Sequence, residues 1–160
     1  MSATDLSNRD NWQKGARIIG DAGENDLAYY LASVLPAHYE VIIRPPKLVV
    51  YESKRGIVLD ILIINTLTGA QLYIEKKTGN NGGNAHERVY KFLSRPLKRL
   101  VREKYNTVKE PFFLVFSGDT FQRAKYINEL SLLLEGENYA IMDPEFSNIE
   151  QIANQIMEIV

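Results

Sequence analysis

Between Gly56 and Asn65 the chain sets Ile57, Val58, Leu59, Ile61, Leu62, Ile63 and Ile64 around a single acidic residue, Asp60. A run this apolar and β-branched, bounded by turn residues, reads as a strand buried on both faces of a sheet. An unpaired carboxylate inside it costs several kcal/mol of desolvation, so Asp60 needs a compensating partner. Thr66 to Gly69 makes a tight turn, and Ala70 to Lys77 alternates as the returning strand of a hairpin. Glu75 and Lys77 end that strand on one face, with Lys76 on the other. Pairing through the turn brings Asp60 and Glu75 together at one edge of the hairpin.

The other elements follow from periodicity. Glu24 to Leu35 reads as a first amphipathic helix ended by Pro36, followed by a strand at Tyr39 to Ile43 and an extended piece at Lys47 to Tyr51. After the hairpin, Gly79 to Gly83 is a glycine-rich loop and Ala85 to Tyr105 a long helix. Pro111 restarts the chain as a strand at Phe112 to Phe116. A helix at Thr120 to Leu134, a strand at Tyr139 to Met142 and a helix at Ile149 to Ile159 complete the order. This is an α/β domain, a mixed central sheet flanked by helices, with residues 1–160 read as a single domain. Helix 85–105 is long enough for a crossover, so strand 112–116 is expected beside strand 70–77.

Composition narrows the functional classes. The chain has no cysteine, which excludes disulfides, thiolate zinc sites and thiol catalysis, and suits a reducing cytoplasm. The polar start and the lack of a membrane-length apolar run argue against secretion and against a membrane partner. The net charge of −1 does not suit a general nucleic-acid binder, but its distribution is uneven. From Asn84 to Lys109 there are eight basic residues against two acidic ones, so one face is basic. Arg95, Lys98, Arg99 and Arg102 recur along it as candidates to track phosphates, a solvated basic face being the plain alternative. No GK[ST] follows the glycine-rich loop and no Ser-His-Asp signature is present, which argues against nucleotide hydrolysis and serine catalysis.

Asp60, Glu75 and Lys77 are the candidate catalytic set. Two carboxylates with a lysine beside them suit a hard, oxygen-seeking divalent cation, Mg²⁺ best, and are the parts that phosphodiester cleavage requires. A buried Asp–Lys pair with a solvated strand-end Glu is the structural alternative. The segment Gly83-Asn84-Ala85-His86-Glu87-Arg88 then opens a helix, with Asn84 as N-cap. Asn, Arg, Glu and Ala at these positions match the hydrogen-bonding and methyl pattern of base edges in a major groove, an ordinary cap with a local Glu–Arg pair being the alternative. Lys91 joins this DNA-facing set. His86 is a candidate base or phosphate contact or else a neutral exposed side chain, and His38 reads as structural. Glu24, at the start of the first helix, is a further candidate metal ligand, with Asp21 and Asp26 equally available.

In this order, Asp60, Glu75-Lys76-Lys77, the glycine-rich loop and GNAHER at 83–88 resemble the active-site hairpin and recognition segment of the EcoRI/MunI group of type II restriction endonucleases, of the PD-(D/E)XK class. The resemblance implies a restriction-endonuclease-like core that cuts double-stranded DNA at a palindrome containing AATT. It implies Mg²⁺, replaceable by Mn²⁺, held by Asp60, Glu75 and the Lys76 backbone carbonyl, with Lys77 assisting the attacking water. It also implies base contacts from Asn84, Ala85, Glu87 and Arg88 with backbone from Gly83, a homodimer, and a cognate DNA methyltransferase in the same system. Leu59 stands where the group has proline, and the chain reads as much shorter than the group's members, which implies recognition of AATT alone or with less discrimination at flanking pairs. A structure-specific nuclease such as a Holliday-junction resolvase, or a non-catalytic DNA-binding protein, are the rival readings.

Overall fold

The computed structural model describes residues 15–20, 26–50, 56–83 and 85–160. Among them one six-stranded mixed sheet runs β1 Arg17–Ile19, β2 Tyr39–Ile43, β3 Ile61–Asn65, β4 Gln71–Thr78, β5 Thr107–Ser117 and β6 Tyr139–Ile141, in that spatial order. The β2–β3 and β3–β4 pairs are antiparallel; β1–β2, β4–β5 and β5–β6 are parallel. The helices are α1 Asp26–Val34, α2 Arg95–Lys104, α3 Ala124–Leu133 and α4 Ile149–Ile159, with 3₁₀ segments at Ala85–Leu93 and Asp119–Gln122. Among the described residues no helix is long and apolar enough to cross a membrane.

Strand alternation divides the interior into two layers. Val41, Ile43, Ile61, Ile63, Leu72, Ile74, Phe113 and Val115 face α1 and α4, which bury Leu27, Leu31, Ile152 and Ile156 against them. Leu62, Tyr73, Phe112, Leu114 and Phe116 face the other way and meet Val89 and Phe92 of the first 3₁₀ segment, Val101 of α2, and Phe121 and Leu130. Glu75 and Lys77 continue the Tyr73 alternation, so both belong to the second layer, beside the 3₁₀ segment.

The hairpin, the β4–β5 crossover and α4 lie where periodicity places them. Other elements differ. Periodicity does not predict strand β1, whose three residues pair in parallel with β2 and carry little pattern of their own. The buried run regularises only from Ile61, while Ile57 makes an isolated bridge to Leu48. Strand β5 starts at Thr107, not after Pro111, and a register shift opposite Gln71 and Tyr73 absorbs the proline. The expected 85–105 helix is broken at Ser94. Its side chain accepts from the Leu97 N–H at 3.2 Å as an N-cap, and Pro96 in the first turn of α2 cannot extend a preceding helix.

The 3₁₀ segment explains its own burial pattern. At three residues per turn, positions i and i+3 eclipse, and His86, Val89 and Phe92 are the buried residues of Ala85–Leu93 whose side chains are described. Phe92 is fully buried, with its ring centroid 4.9 Å from that of Phe112 on β5. Phe92→Ala should therefore cost about 3–5 kcal/mol of stability. Urea denaturation checks this, and a loss below about 1 kcal/mol would show that the segment does not depend on this anchor.

Candidate active site

Asp60 occupies the bend before β3, where the backbone is tied down from the neighbouring strand: the Arg44 N–H donates to the Asp60 carbonyl at 2.9 Å. Its carboxylate turns to β4, and Oδ2 accepts the Lys76 N–H at 2.8 Å. In an antiparallel pair a residue's N–H and C=O leave the same edge of the strand, so the Lys76 carbonyl also leaves β4 toward the Asp60 side. Regular β3 pairing has ended there, the last register pair being Ile61 with Ile74.

Glu75 is 7% exposed. Burial pushes its carboxyl up, and a hydrogen bond with Asp60 and the Asp60 charge push it further, to about 8, against the lowering effect of Lys77 and Lys91. Two carboxyl groups this close in a low-dielectric site cannot both ionise without a cation or a shared proton. Lys77 Nζ lies 3.8 Å from Glu75 Oε2, with a quarter of its side chain exposed. The two carboxyl groups supply oxygen donors only, which fits a hard divalent ion. Among the described residues no three His, Cys, Asp or Glu side chains form a metal cluster. Glu24 and Asp21 lie outside the described residues.

From this site β4 leads into the 79–83 loop, which is clamped to the segment following β5. Gly79 N–H donates to the Ser117 carbonyl at 2.9 Å, Asn81 N–H to Asp119 Oδ1 at 2.9 Å and Gly82 N–H to Thr120 Oγ1 at 2.8 Å. The closeness of this clamp requires Gly118, where a Cβ would come within 2.2 Å of the Gly79 carbonyl oxygen. Gly83 differs: it has φ +103°, and a Cβ would meet nothing within 4 Å, so its backbone faces open space. Asn84 lies outside the described residues, and Ala85 begins the 3₁₀ segment.

Of the residues that follow, Glu87, Arg88 and Lys91 are exposed. Lys91 also extends its charge to Glu75, which links the two halves of the site. His86 departs from expectation: it is 2% exposed, because the three-residue period points it inward with Val89 and Phe92, so it does not present its ring for a DNA contact. Lys98 departs as well. It is buried, and its ammonium binds Glu110 at 2.9 Å and Glu137 at 2.5 Å, which removes it from the phosphate-tracking set. Arg102 donates to the Lys109 carbonyl and Arg99 lies 3.9 Å from Glu103, leaving Arg95 the least engaged of that row. Sequence reasoning misses Asp119, Thr120 and Glu129, whose partners lie tens of residues away and leave no local signal.

A family model described as type II restriction enzyme MunI matches residues 49–155. Among solved structures, the crystal structure of MunI restriction endonuclease in complex with cognate DNA matches with a TM-score of 0.69 and 19% identity, covering 97% of this chain and 93% of that one. No curated protein sequence matches. The mixed sheet with flanking helices is thus the restriction-endonuclease-like fold of the PD-(D/E)XK class. With two thirds of its length matched, the chain belongs to the MunI family of type II restriction enzymes, and is by class a site-specific DNA nuclease. The 93% coverage also corrects the expectation of a chain much shorter than this relative.

The raised Glu75 pKa makes a prediction for the metal-free protein. The folded state holds this proton more tightly than the unfolded chain, whose carboxyl titrates near 4.5. The stability it contributes is therefore complete below pH 4.5 and is lost as pH rises through about 8. In EDTA, the urea midpoint should fall between these limits, and Glu75→Gln should flatten that fall. Parallel pH profiles for the two proteins would show that the carboxyl pair is not strained.

Proposed function

We propose that the protein is a Mg²⁺-dependent endonuclease that hydrolyses double-stranded DNA at a short palindrome containing AATT. The observation that carries this reading is the convergence of Asp60, Glu75 and Lys77 where β3 and β4 meet, one short loop before GNAHER. Asp60, Glu75 and the Lys76 carbonyl would hold the ion, with Mn²⁺ as a substitute. When bound, the ion supplies positive charge that polarises the scissile phosphate and acidifies water. Lys77, close to Glu75 and partly exposed, orients the attacking water and offsets negative charge growing on the phosphate. Water adds to phosphorus in line with the departing 3′ oxygen; the water's proton is lost to solvent and the 3′ oxygen takes one up, leaving 5′-phosphate and 3′-hydroxyl ends.

Base reading falls to Asn84, Ala85, Glu87 and Arg88, with the open backbone of Gly83 approaching the duplex and Lys91 neutralising phosphate near the cut. The left-handed glycine with clear space above it and the exposed Glu87 and Arg88 support this assignment. One Asp60–Glu75–Lys77 set per chain and a palindromic site imply a two-fold homodimer. A methyltransferase of the same specificity protects the host DNA in such a system without being a subunit.

Digestion of linear duplex DNA with Mg²⁺, beside EDTA and Lys77→Ala controls, tests the reading. Discrete fragments ending at AATT are expected with Mg²⁺ and none with EDTA, and Lys77→Ala should slow cleavage by about 10²-fold or more. Random cutting would reject sequence recognition, and intact DNA in all lanes would reject catalysis.

A further inference from the structure

His86 directly precedes the exposed Glu87–Arg88 pair in the chain, yet only 2% of its side chain is exposed. Its ring stands edge-on to Tyr90, Phe121 and Tyr126, with centroids 6.4, 6.1 and 5.9 Å away. Nε2 lies 3.3 Å from Glu129 Oε1 on α3, and neither ring nitrogen has an aligned hydrogen-bond partner. The other buried positions of the stripe, Val89 and Phe92, show that an apolar side chain would pack there without the cost of two buried, unaligned nitrogens. A purely packing role therefore does not account for histidine. A carboxylate 3.3 Å from Nε2 does, because its negative charge attracts the polar edge of the ring and so joins the segment to α3.

The same joint is held from the other side. Gly82 N–H donates to Thr120 Oγ1, and a Cβ at Gly82 would be 3.2 Å from the Tyr126 hydroxyl, so loop and helix approach closely just before His86. Between this clamp and Phe92, His86 is the polar fixing point of the segment's first turn. Its sequence neighbours Glu87 and Arg88 project into solvent and have no such attachment of their own.

We infer that His86 is a positioning residue for site discrimination: through Nε2 and Glu129 it fixes the first turn of Ala85–Leu93 against α3 and so sets where Glu87 and Arg88 meet the bases. The inference rests on the proposed base-reading role of this segment. It makes His86 a residue that acts through its neighbours rather than one that touches DNA. Small displacements of a base-reading pair lower discrimination more than they lower general DNA affinity, which comes from phosphate contacts.

Three substitutions separate this role from packing. Glu129→Ala removes the acceptor from a side chain that is 39% exposed, so the core is left intact. His86→Phe fills the aromatic surround without an N–H, and His86→Gln keeps an N–H able to reach Glu129. The first readout is the ratio of kcat/KM on the preferred site to that on sites changed at one base pair. It should fall about tenfold in Glu129→Ala and in His86→Phe, with the double variant no worse, and stay within about threefold of wild type in His86→Gln. The second readout, made without DNA, is amide exchange across residues 86–92, which should quicken about tenfold in the same two single variants. Unchanged ratio and exchange in Glu129→Ala would overturn the inference and leave His86 a core residue. If the wild-type protein shows no site preference, the proposed function fails, and the DNA-free exchange rates still decide whether His86 and Glu129 hold the segment.

Discussion

Two carboxyl groups held against each other at the edge of a hairpin set the terms for much of this molecule. Asp60 is fixed by the Arg44 N–H on its carbonyl and the Lys76 N–H on its carboxylate, and Glu75 is buried beside it. Backbone, rather than flexible side chains, therefore fixes the separation of the pair. Burial first, and then the hydrogen bond and charge of Asp60, push the Glu75 carboxyl up to about 8, so that it holds a proton in the metal-free protein. Such an arrangement is poor for stability and good for capturing a cation, a trade expected at a functional site and not in a structural core.

The sheet makes that arrangement useful by placing it next to the loop and 3₁₀ segment. Strand alternation sends Glu75 and Lys77 into the layer occupied by Val89, Phe92, Phe112 and Phe116. The clamp between loop 79–83 and the Asp119–Thr120 segment then shortens the path from the carboxyl pair to exposed Glu87 and Arg88. Lys91 spans the two, close enough to Glu75 to favour its ionised form. The buried Lys98, bound by Glu110 and Glu137, fixes α2 to the first half of β5 and to the turn before β6, so the basic helix is partly a structural tie.

Much of this is legible in the sequence because it depends on short-range pattern. The apolar run at 57–64, the turn at 66–69 and the period-two spacing of Glu75 and Lys77 are enough by themselves to define the hairpin and its acidic edge. The five-position apolar stripe of Ile149–Ile159 defines α4 in the same way. What escapes has different causes. Pro96 marks the break at Ser94, but the basic run continues across it and suggests one helix. His86 reads as exposed on a 3.6-residue period, whereas the chain adopts a three-residue one that turns it inward. Strand β1, the Glu129 contact and the Lys98 triad arise from tertiary pairing, which no local window contains.

Whether Asp60 and Glu75 form a cation site that a proton closes when no metal is present can be read by calorimetric Mn²⁺ titration of the DNA-free protein. Titration at about pH 7 in two buffers of different ionisation enthalpy counts the protons displaced on binding. The wild-type protein should release about one proton per ion bound, and Glu75→Gln should lose both binding and release. Binding without proton release, or equal binding by Glu75→Gln, would contradict it.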